Sequence, residues 1–344
     1  MSTGSVHGES VGKVIIPVAG IGKRLRPHTH TAPKGLLHVA GKPILGHVID
    51  SLKQVKFDEV IFSIGFMGDQ IVEYVKKNYK FKSKFVEQKV LRGLGYAIYL
   101  ACPEIKNTEP VLIVLGDTIF ETDLSPVLKG KFDALGTKKV KDPRRFGIVE
   151  MERGFAKKLV EKPEKPKSDQ AMVGVYYIKS TEKFKESLEE MFKKNIKTQN
   201  EYQLTDALQL MIDKGVKFKT FEITTWYDCG KAETLLQTNR HLLSKIKSTR
   251  KSKRAWQLKS SVVIPPIFVS ESAKVKNSIL GPYVSVADKA VIQNSIIRNS
   301  IISEQAEVNN CLLESSLIGN NAEVKGVFDK LNVGDSSEIG YFEF

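Results

Sequence analysis

Short aliphatic runs separated by amphipathic stretches dominate the first two-thirds of the chain. The run 14–18, VIIPV, is short enough for a buried strand. Apolar periodicity then predicts a helix over 44–55, a strand over 59–64 and a helix over 68–77. A strand over 84–88, a helix over 93–101 and a strongly apolar strand over 110–115 follow. That alternation is the rhythm of an α/β sheet. Further on, 146–151, 156–161 and 172–178 read as strands of an inserted sheet, and 216–224 is strand-like. Residues 181–194, 205–214 and 233–245 carry helical periodicity.

From about Val263 the texture changes. Aliphatic residues recur at Val269, Val275, Leu280, Val286, Ile292, Ile297, Ile302, Val308, Leu313, Ile318 and Val324, five or six positions apart, with small or polar residues between. This is a hexapeptide-type repeat, the pattern of a left-handed parallel β-helix, here about three and a half coils long. A solenoid that short leaves open ends and apolar edges, which favour association with another subunit, so a homo-oligomer through the β-helix is expected.

Composition narrows the picture. With 344 residues, 41% hydrophobic and 27% charged, the chain suits a globular protein of two domains. No apolar run approaches the ~20 residues a membrane helix needs, and no leader pattern opens the chain. The expectation is therefore a cytoplasmic protein with no membrane partner. Cys102, Cys229 and Cys311 are too few and too widely spaced for a disulfide framework or a zinc site. The net charge of +14 raises the question of nucleic acid, but the lysines are dispersed and no aromatic-interleaved basic patch or binding motif appears. The densest basic run, 245–254, reads as a solvated linker. No nucleic-acid partner is expected; the positive field instead favours phosphorylated small molecules.

The chemistry concentrates in 14–45, VIIPVAGIGKRLRPHTHTAPKGLLHVAGKPIL. After the strand, Ala19, Gly20 and Gly22 form a tight turn, followed by Lys23, Arg24 and Arg26, with Lys34 just past Pro33. Glycines let a backbone bring its N–H groups close to phosphate oxygens, and Arg and Lys then neutralise the charge. The dinucleotide fingerprint fails because Leu25 stands where the third glycine belongs, and no Gly-Lys pair continues into Ser or Thr as a P-loop requires. Asp117 directly follows the 110–115 strand, where open α/β sheets place ligands. Asp228 lies in TWYDCG, after another strand-like run. Two carboxylates of this kind suit a hard cation that also takes phosphate oxygens and water.

The succession of glycine-rich turn, Arg-Leu, Pro, Thr, Pro-Lys, Leu-Leu and Gly-Lys-Pro resembles the opening of the sugar-nucleotide pyrophosphorylases, which join a nucleoside triphosphate to a sugar 1-phosphate. The resemblance extends from Lys13 to about Leu243. It implies a Rossmann-like nucleotidyltransferase domain with a mixed sheet over 13–245. Residues 1–12 are expected to be a disordered N-terminus, 246–260 a basic linker, and 261–344 the β-helix and C-terminal tail.

The resemblance also implies roles. Arg24 stabilises the triphosphate as pyrophosphate departs, and Lys34 balances charge at the α-phosphate. Asp117 and Asp228 hold Mg²⁺. Gln88 and the following RGLGYA segment with Gly93 read the base. Glu161 takes sugar hydroxyls and Lys162 the sugar phosphate, with Gly147 and Gly174 letting the sugar lie against the backbone. The segment EYQLTDA, 201–207, is also family-like and receives no role. Lys23 replaces the usual Thr, and Thr118 replaces the Asn that often follows the metal-binding Asp.

PVAGIGKR, GLGYA and DCG resemble enzymes that use UTP and glucose 1-phosphate, whereas the stretch from Trp226 to Arg240 resembles thymidylyltransferases. Both nucleotides stay open. So do mannose-1-phosphate guanylyl transfer, which the Gln88 segment fits poorly, and a non-catalytic sensor that only binds nucleotide sugar. Acetyl transfer, run by some relatives on longer β-helices, is not expected, because no histidine follows His241.

Overall fold

The computed structural model describes residues 11–246, 258–326 and 331–339. By packing, the chain forms two compact units. One contains the chain to Gly20 together with 48–226; the other contains 21–47 together with the chain from Tyr227.

The first unit is built on a nine-stranded mixed sheet. Its main path runs Phe155–Glu161, Gly147–Glu152, Gln170–Ile178, Val111–Val114, Val11–Pro17, Phe57–Ile64 and Ser83–Glu87. Val11–Pro17 pairs in parallel with both Phe57–Ile64 and Val111–Val114, so Ile15 faces Ile61 on one side and Ile113 on the other. All three side chains are fully buried. Strands covered on both faces read as continuous apolar runs, which is why VIIP, VIFSI and VLIV stand out. Helices Leu94–Ala101, Thr181–Lys193 and Leu204–Asp213 bury Ile98, Phe184, Leu188, Leu208 and Met211 in the same core.

Three expectations need correction here. The strands 146–151, 156–161 and 172–178 are not an inserted sheet. Gln170–Ile178 pairs antiparallel with Val111–Val114 and joins them to the main sheet. It carries nine residues, eight of them buried, so it fills a central position instead of an appended one. The strand Asp133–Lys139 escaped the periodicity because it ends in Thr-Lys-Lys, yet it pairs with both Gln170–Ile178 and Phe218–Glu222. The first strand also begins at Val11, inside the stretch expected to be disordered, with Val11 N–H bonded to the Lys56 carbonyl. Residues 1–10 lie outside the described residues, as do 247–257 of the basic linker and 340–344 of the tail.

In the second unit three parallel sheets of short strands form the three-sided β-helix of the repeat, six, four and five strands deep among the described residues. This exceeds three and a half coils. The repeat already starts at Leu258–Lys259, where Pro265 and Pro266 disguise its period, and it resumes at Asn332–Val333. Val275, Ile292, Val308 and Val324 stack inward in register. Asn277, Asn294 and Asn310 turn corners at positive φ, a conformation that asparagine tolerates better than most residues. Outward positions differ by face. One face stacks Lys274, Val291, Glu307 and Glu323, whereas another stacks Val262, Ile279, Ile296 and Leu312.

Candidate active site

In the first unit the strand Val11–Pro17 leads to Ala19 and Gly20. Gly65 lets the Ala19 backbone pass, since a Cβ there would lie 2.7 Å from the Ala19 carbonyl oxygen; a Cβ on Gly20 itself would meet nothing. Gln88, buried at the end of Ser83–Glu87, donates its side-chain Nε2 to the Gly93 carbonyl at 3.5 Å. Gly93 has φ of 103°, and a Cβ would lie 2.6 Å from the Tyr202 carbonyl oxygen, so the turn before helix Leu94–Ala101 requires glycine. That contact brings in the unassigned EYQLTDA segment: Gly95 N–H donates to the Tyr202 carbonyl, and Tyr202 N–H to the Arg92 carbonyl.

Glu161 ends the strand Phe155–Glu161. It accepts a 2.6 Å hydrogen bond from Thr205 Oγ1 and lies 3.3 Å from Lys162 Nζ. Opposite, Gly147 leaves room: a Cβ there would lie 2.9 Å from Glu161 Oε2 and 2.4 Å from Met172 Cε. Lys162 is held at φ 43°, a strained value for a lysine of the kind that clusters at functional sites. Gly174 takes φ 84° where the register of Gln170–Ile178 slips, and its Cβ would strike Leu115. Asp117 follows Val111–Val114 by way of Gly116, and Thr118 donates to its Oδ1 at 3.5 Å. Burial pushes the Tyr176 phenol upward, and the charges of Glu161 and Asp117 push the same way. Burial also raises the Asp206 carboxyl, against a hydrogen bond from Thr198, with Glu161 adding to the rise.

In the second unit Gly22, at φ 71°, caps the short turn Lys23–Leu25. A Cβ on Gly22 would lie 3.0 Å from Lys34 Cβ and 3.0 Å from Thr29 Cγ2, which brings the two ends of the basic loop together. Pro33 is extended and Lys34 opens the turn Lys34–Leu36. A Cβ on Gly230 would lie 2.9 Å from Arg24 Nη2 and 2.8 Å from Asp228 Oδ1, so guanidinium and carboxylate face one point.

The predicted residues thus divide. Ala19, Gly20, Gln88, Gly93, Asp117, Gly147, Glu161, Lys162 and Gly174 belong to the first unit, and Gly22, Arg24, Lys34 and Asp228 to the second. Sequence reasoning missed Thr205, Tyr176 and Tyr202. EYQLTDA marked two of them without saying what they touch.

A family model described as nucleotidyl transferase matches residues 13–245. The chain belongs to that family. A second model, GlmU-like C-terminal hexapeptide, matches residues 244–331. The bifunctional protein GlmU of Methanocaldococcus jannaschii is 35% identical over 266 residues, 75% of this chain and 60% of that protein. For the corresponding protein of Methanococcus maripaludis the share is 54%, so the chain spans little more than half the length of such relatives. Glucose-1-phosphate thymidylyltransferase of Streptomyces griseus is 30% identical over 241 residues, 67% of this chain and 66% of that one. Among solved structures, a UDP-glucose pyrophosphorylase complexed with UDP-glucose superposes with a TM-score of 0.59 at 25% identity, over 68% of this chain and 99% of the other.

Nucleotidyl transferases of this family generally act with a divalent metal. Asp117 in the first unit and Asp228 in the second each offer carboxylate oxygen, the donor type that a hard cation takes together with substrate oxygens and water. No helix among the described residues is long and apolar enough to cross a membrane.

Proposed function

We propose that the protein is a sugar-1-phosphate nucleotidyltransferase that joins a pyrimidine nucleoside triphosphate, UTP or dTTP, to a hexose 1-phosphate, with glucose 1-phosphate the first candidate. A phosphate oxygen of the sugar 1-phosphate attacks the α-phosphorus in line. The bond from that phosphorus to the β-phosphate oxygen breaks, and pyrophosphate leaves with the electron pair. Such a transfer asks the protein for alignment and charge compensation more than covalent chemistry.

The observation that carries the reading is the Arg24 guanidinium and Asp228 carboxylate facing one point at Gly230, at the foot of a glycine-closed basic loop. Arg24 neutralises charge on the departing pyrophosphate and Lys34 charge at the α-phosphate. Glu161, oriented by Thr205, accepts from sugar hydroxyls, and Lys162 holds the sugar phosphate. Gln88 offers a donor and an acceptor suited to the imide edge of a pyrimidine. Asp117 and Asp228 are the candidates for holding a divalent metal, and Mg²⁺ held by them would shield phosphate charge.

The relatives' names support both nucleotides, one solved neighbour being a UDP-glucose pyrophosphorylase and one relative a thymidylyltransferase. The two bases differ by one methyl, a difference worth about 1–3 kcal/mol in an apolar pocket. The test is pyrophosphate release from a matrix of nucleoside triphosphates and sugar 1-phosphates with Mg²⁺. Turnover confined to UTP or dTTP with a hexose 1-phosphate is the expected result. No turnover with any pair would leave the sensor reading in its place, and a preference for GTP with mannose 1-phosphate the guanylyltransferase one.

A further inference from the structure

The loop that carries Arg24 and Lys34 packs in one unit with the β-helix, and two sets of contacts fasten it there. The first is centred on Asn239, a fully buried residue of helix Ala232–Lys245. Its Oδ1 accepts from Ala40 N–H at 3.0 Å and from Ser285 Oγ at 2.7 Å, and its Nδ2 donates to the Tyr283 carbonyl at 3.0 Å. One carboxamide thereby joins the end of the loop to a β-helix strand. Beside it Gly41 lies on the Phe268 ring, where a Cβ would come within 2.8 Å of Cε2.

The second set lies in the last described coil. Asn332 Oδ1 accepts from His28 Nε2. Gly334 lies flat against Pro27, where a Cβ would stand 2.5 Å from the proline Cβ. Burial keeps the His28 imidazole below its ordinary range, so the ring stays neutral and the hydrogen bond fixes which nitrogen carries the proton. Asp335 works against that shift, since its charge favours the imidazolium form of His28.

The loop is also closed on itself. Thr29 Oγ1 donates to the Gly22 carbonyl at 3.0 Å, Leu25 N–H to the same carbonyl at 2.9 Å, and Leu37 N–H to the Lys34 carbonyl at 3.1 Å. Arg24 stands just ahead of the Pro27–His28 anchor, and Lys34 lies between it and the Ala40–Gly41 anchor.

We infer that the β-helix is a positioning device for the phosphate-binding loop, with Asn332 and Gly334 at one end and Asn239 at the other as positioning residues for Arg24 and Lys34. A loop bearing two long cations loses much conformational freedom when it grips a triphosphate. Anchors formed before substrate arrives meet that cost in folding, so less of the binding free energy is spent on ordering. The inference deepens the proposed reaction and rests on it for its kinetic arm.

The test uses the full chain with His28→Leu, His28→Gln and Gly334→Ala. His28→Leu removes the donor to Asn332, His28→Gln restores one, and Gly334→Ala pushes on Pro27. Backbone amide exchange over residues 23–37 is measured first, without substrate, and steady-state kinetics second. Faster exchange in His28→Leu and Gly334→Ala is expected, together with a KM for the nucleoside triphosphate raised roughly tenfold and an unchanged KM for the sugar phosphate. His28→Gln should recover most of both. A lowered melting temperature with unchanged loop exchange and unchanged KM would make these residues merely structural and overturn the inference. If the wild-type protein turns over no substrate pair, the proposed reaction falls, and the exchange arm alone decides the anchoring: unchanged exchange overturns it, faster exchange upholds it.

Discussion

Thr205 donates its hydroxyl to Glu161 Oε2 at 2.6 Å, on the side of the carboxylate that faces the space left by Gly147. A carboxylate fixed at one oxygen keeps its other lone pairs aimed, which suits it to sugar hydroxyls. Hydrogen bonds to charged groups contribute about 1.5–3 kcal/mol, so Thr205→Val should raise the KM for the sugar 1-phosphate about tenfold or more. The KM for the nucleotide should stay near its original value, and Thr205→Ser should retain most of the affinity. Initial rates with each substrate varied in turn check this; equal changes in both KM values would remove Thr205 from the sugar side.

Asp117 and Asp228 lead to a prediction about chemistry without loss of fold. Asp117→Asn and Asp228→Asn preserve shape and remove charge, so each should abolish detectable pyrophosphate release while circular dichroism and melting temperature stay close to wild type. Arg24→Ala should lower kcat/KM by about 10²–10³, the range seen when one preorganised charge-stabilising group is lost. Full activity in either Asn variant would take that aspartate out of the metal site.

The candidate residues were legible as candidates because they are of types that stand out: glycine at forced backbone positions, Arg and Lys beside them, and aspartate after an apolar strand. Gly93 and Gly174 illustrate the point, since each sits at a positive φ that nearly any other residue would strain. Thr205 was not legible. A threonine within a helix carries no mark of its partner, and that partner lies 44 positions earlier. The placement of Gln170–Ile178 was hidden for a related reason: periodicity reports burial, but not which strand lies alongside. The loop from Ile21 to His47 reads as one motif continuous with the first strand, yet its packing partner is a repeat more than 200 residues away, fixed by single contacts such as His28 to Asn332.

His38 supplies a pH dependence. Its Nε2 is sealed from solvent without a hydrogen-bond partner among the described residues, and its ring centroid lies 6.0 Å from that of Phe268. Burial, helped by His47 and opposed by Asp288, brings the imidazole down to about 4 from 6.5. The unfolded chain therefore takes up a proton across that window and the folded protein does not. The stability this supplies is complete above the ordinary imidazole range and falls by about 1.4 kcal/mol per pH unit as the solution is acidified through it. His38→Phe, which fills the same space without titrating, should flatten that slope. Urea unfolding midpoints measured between about pH 7 and pH 5 decide the matter; parallel slopes for the two proteins would assign the acid sensitivity elsewhere.

The outward ladder on one β-helix face leads to the last prediction. Val262, Ile296 and Leu312 are 56%, 38% and 45% exposed, with Ile279 stacked between the first two. A flat aliphatic row on a regular sheet is a surface that a second copy of the same chain can match residue for residue, whereas the outward row Lys274, Val291, Glu307 and Glu323 of the neighbouring face is broken up by charge. Self-association should therefore use the aliphatic face. Ile296→Lys with Leu312→Lys places two ammonium groups in the row and leaves the inward Ile297 and Leu313 untouched, so the coil should remain folded. Sedimentation is expected to show the wild-type chain as an oligomer and the double variant as a monomer of 38.5 kDa, with an unchanged far-ultraviolet spectrum. An oligomer that survives both lysines would move the interface to another face.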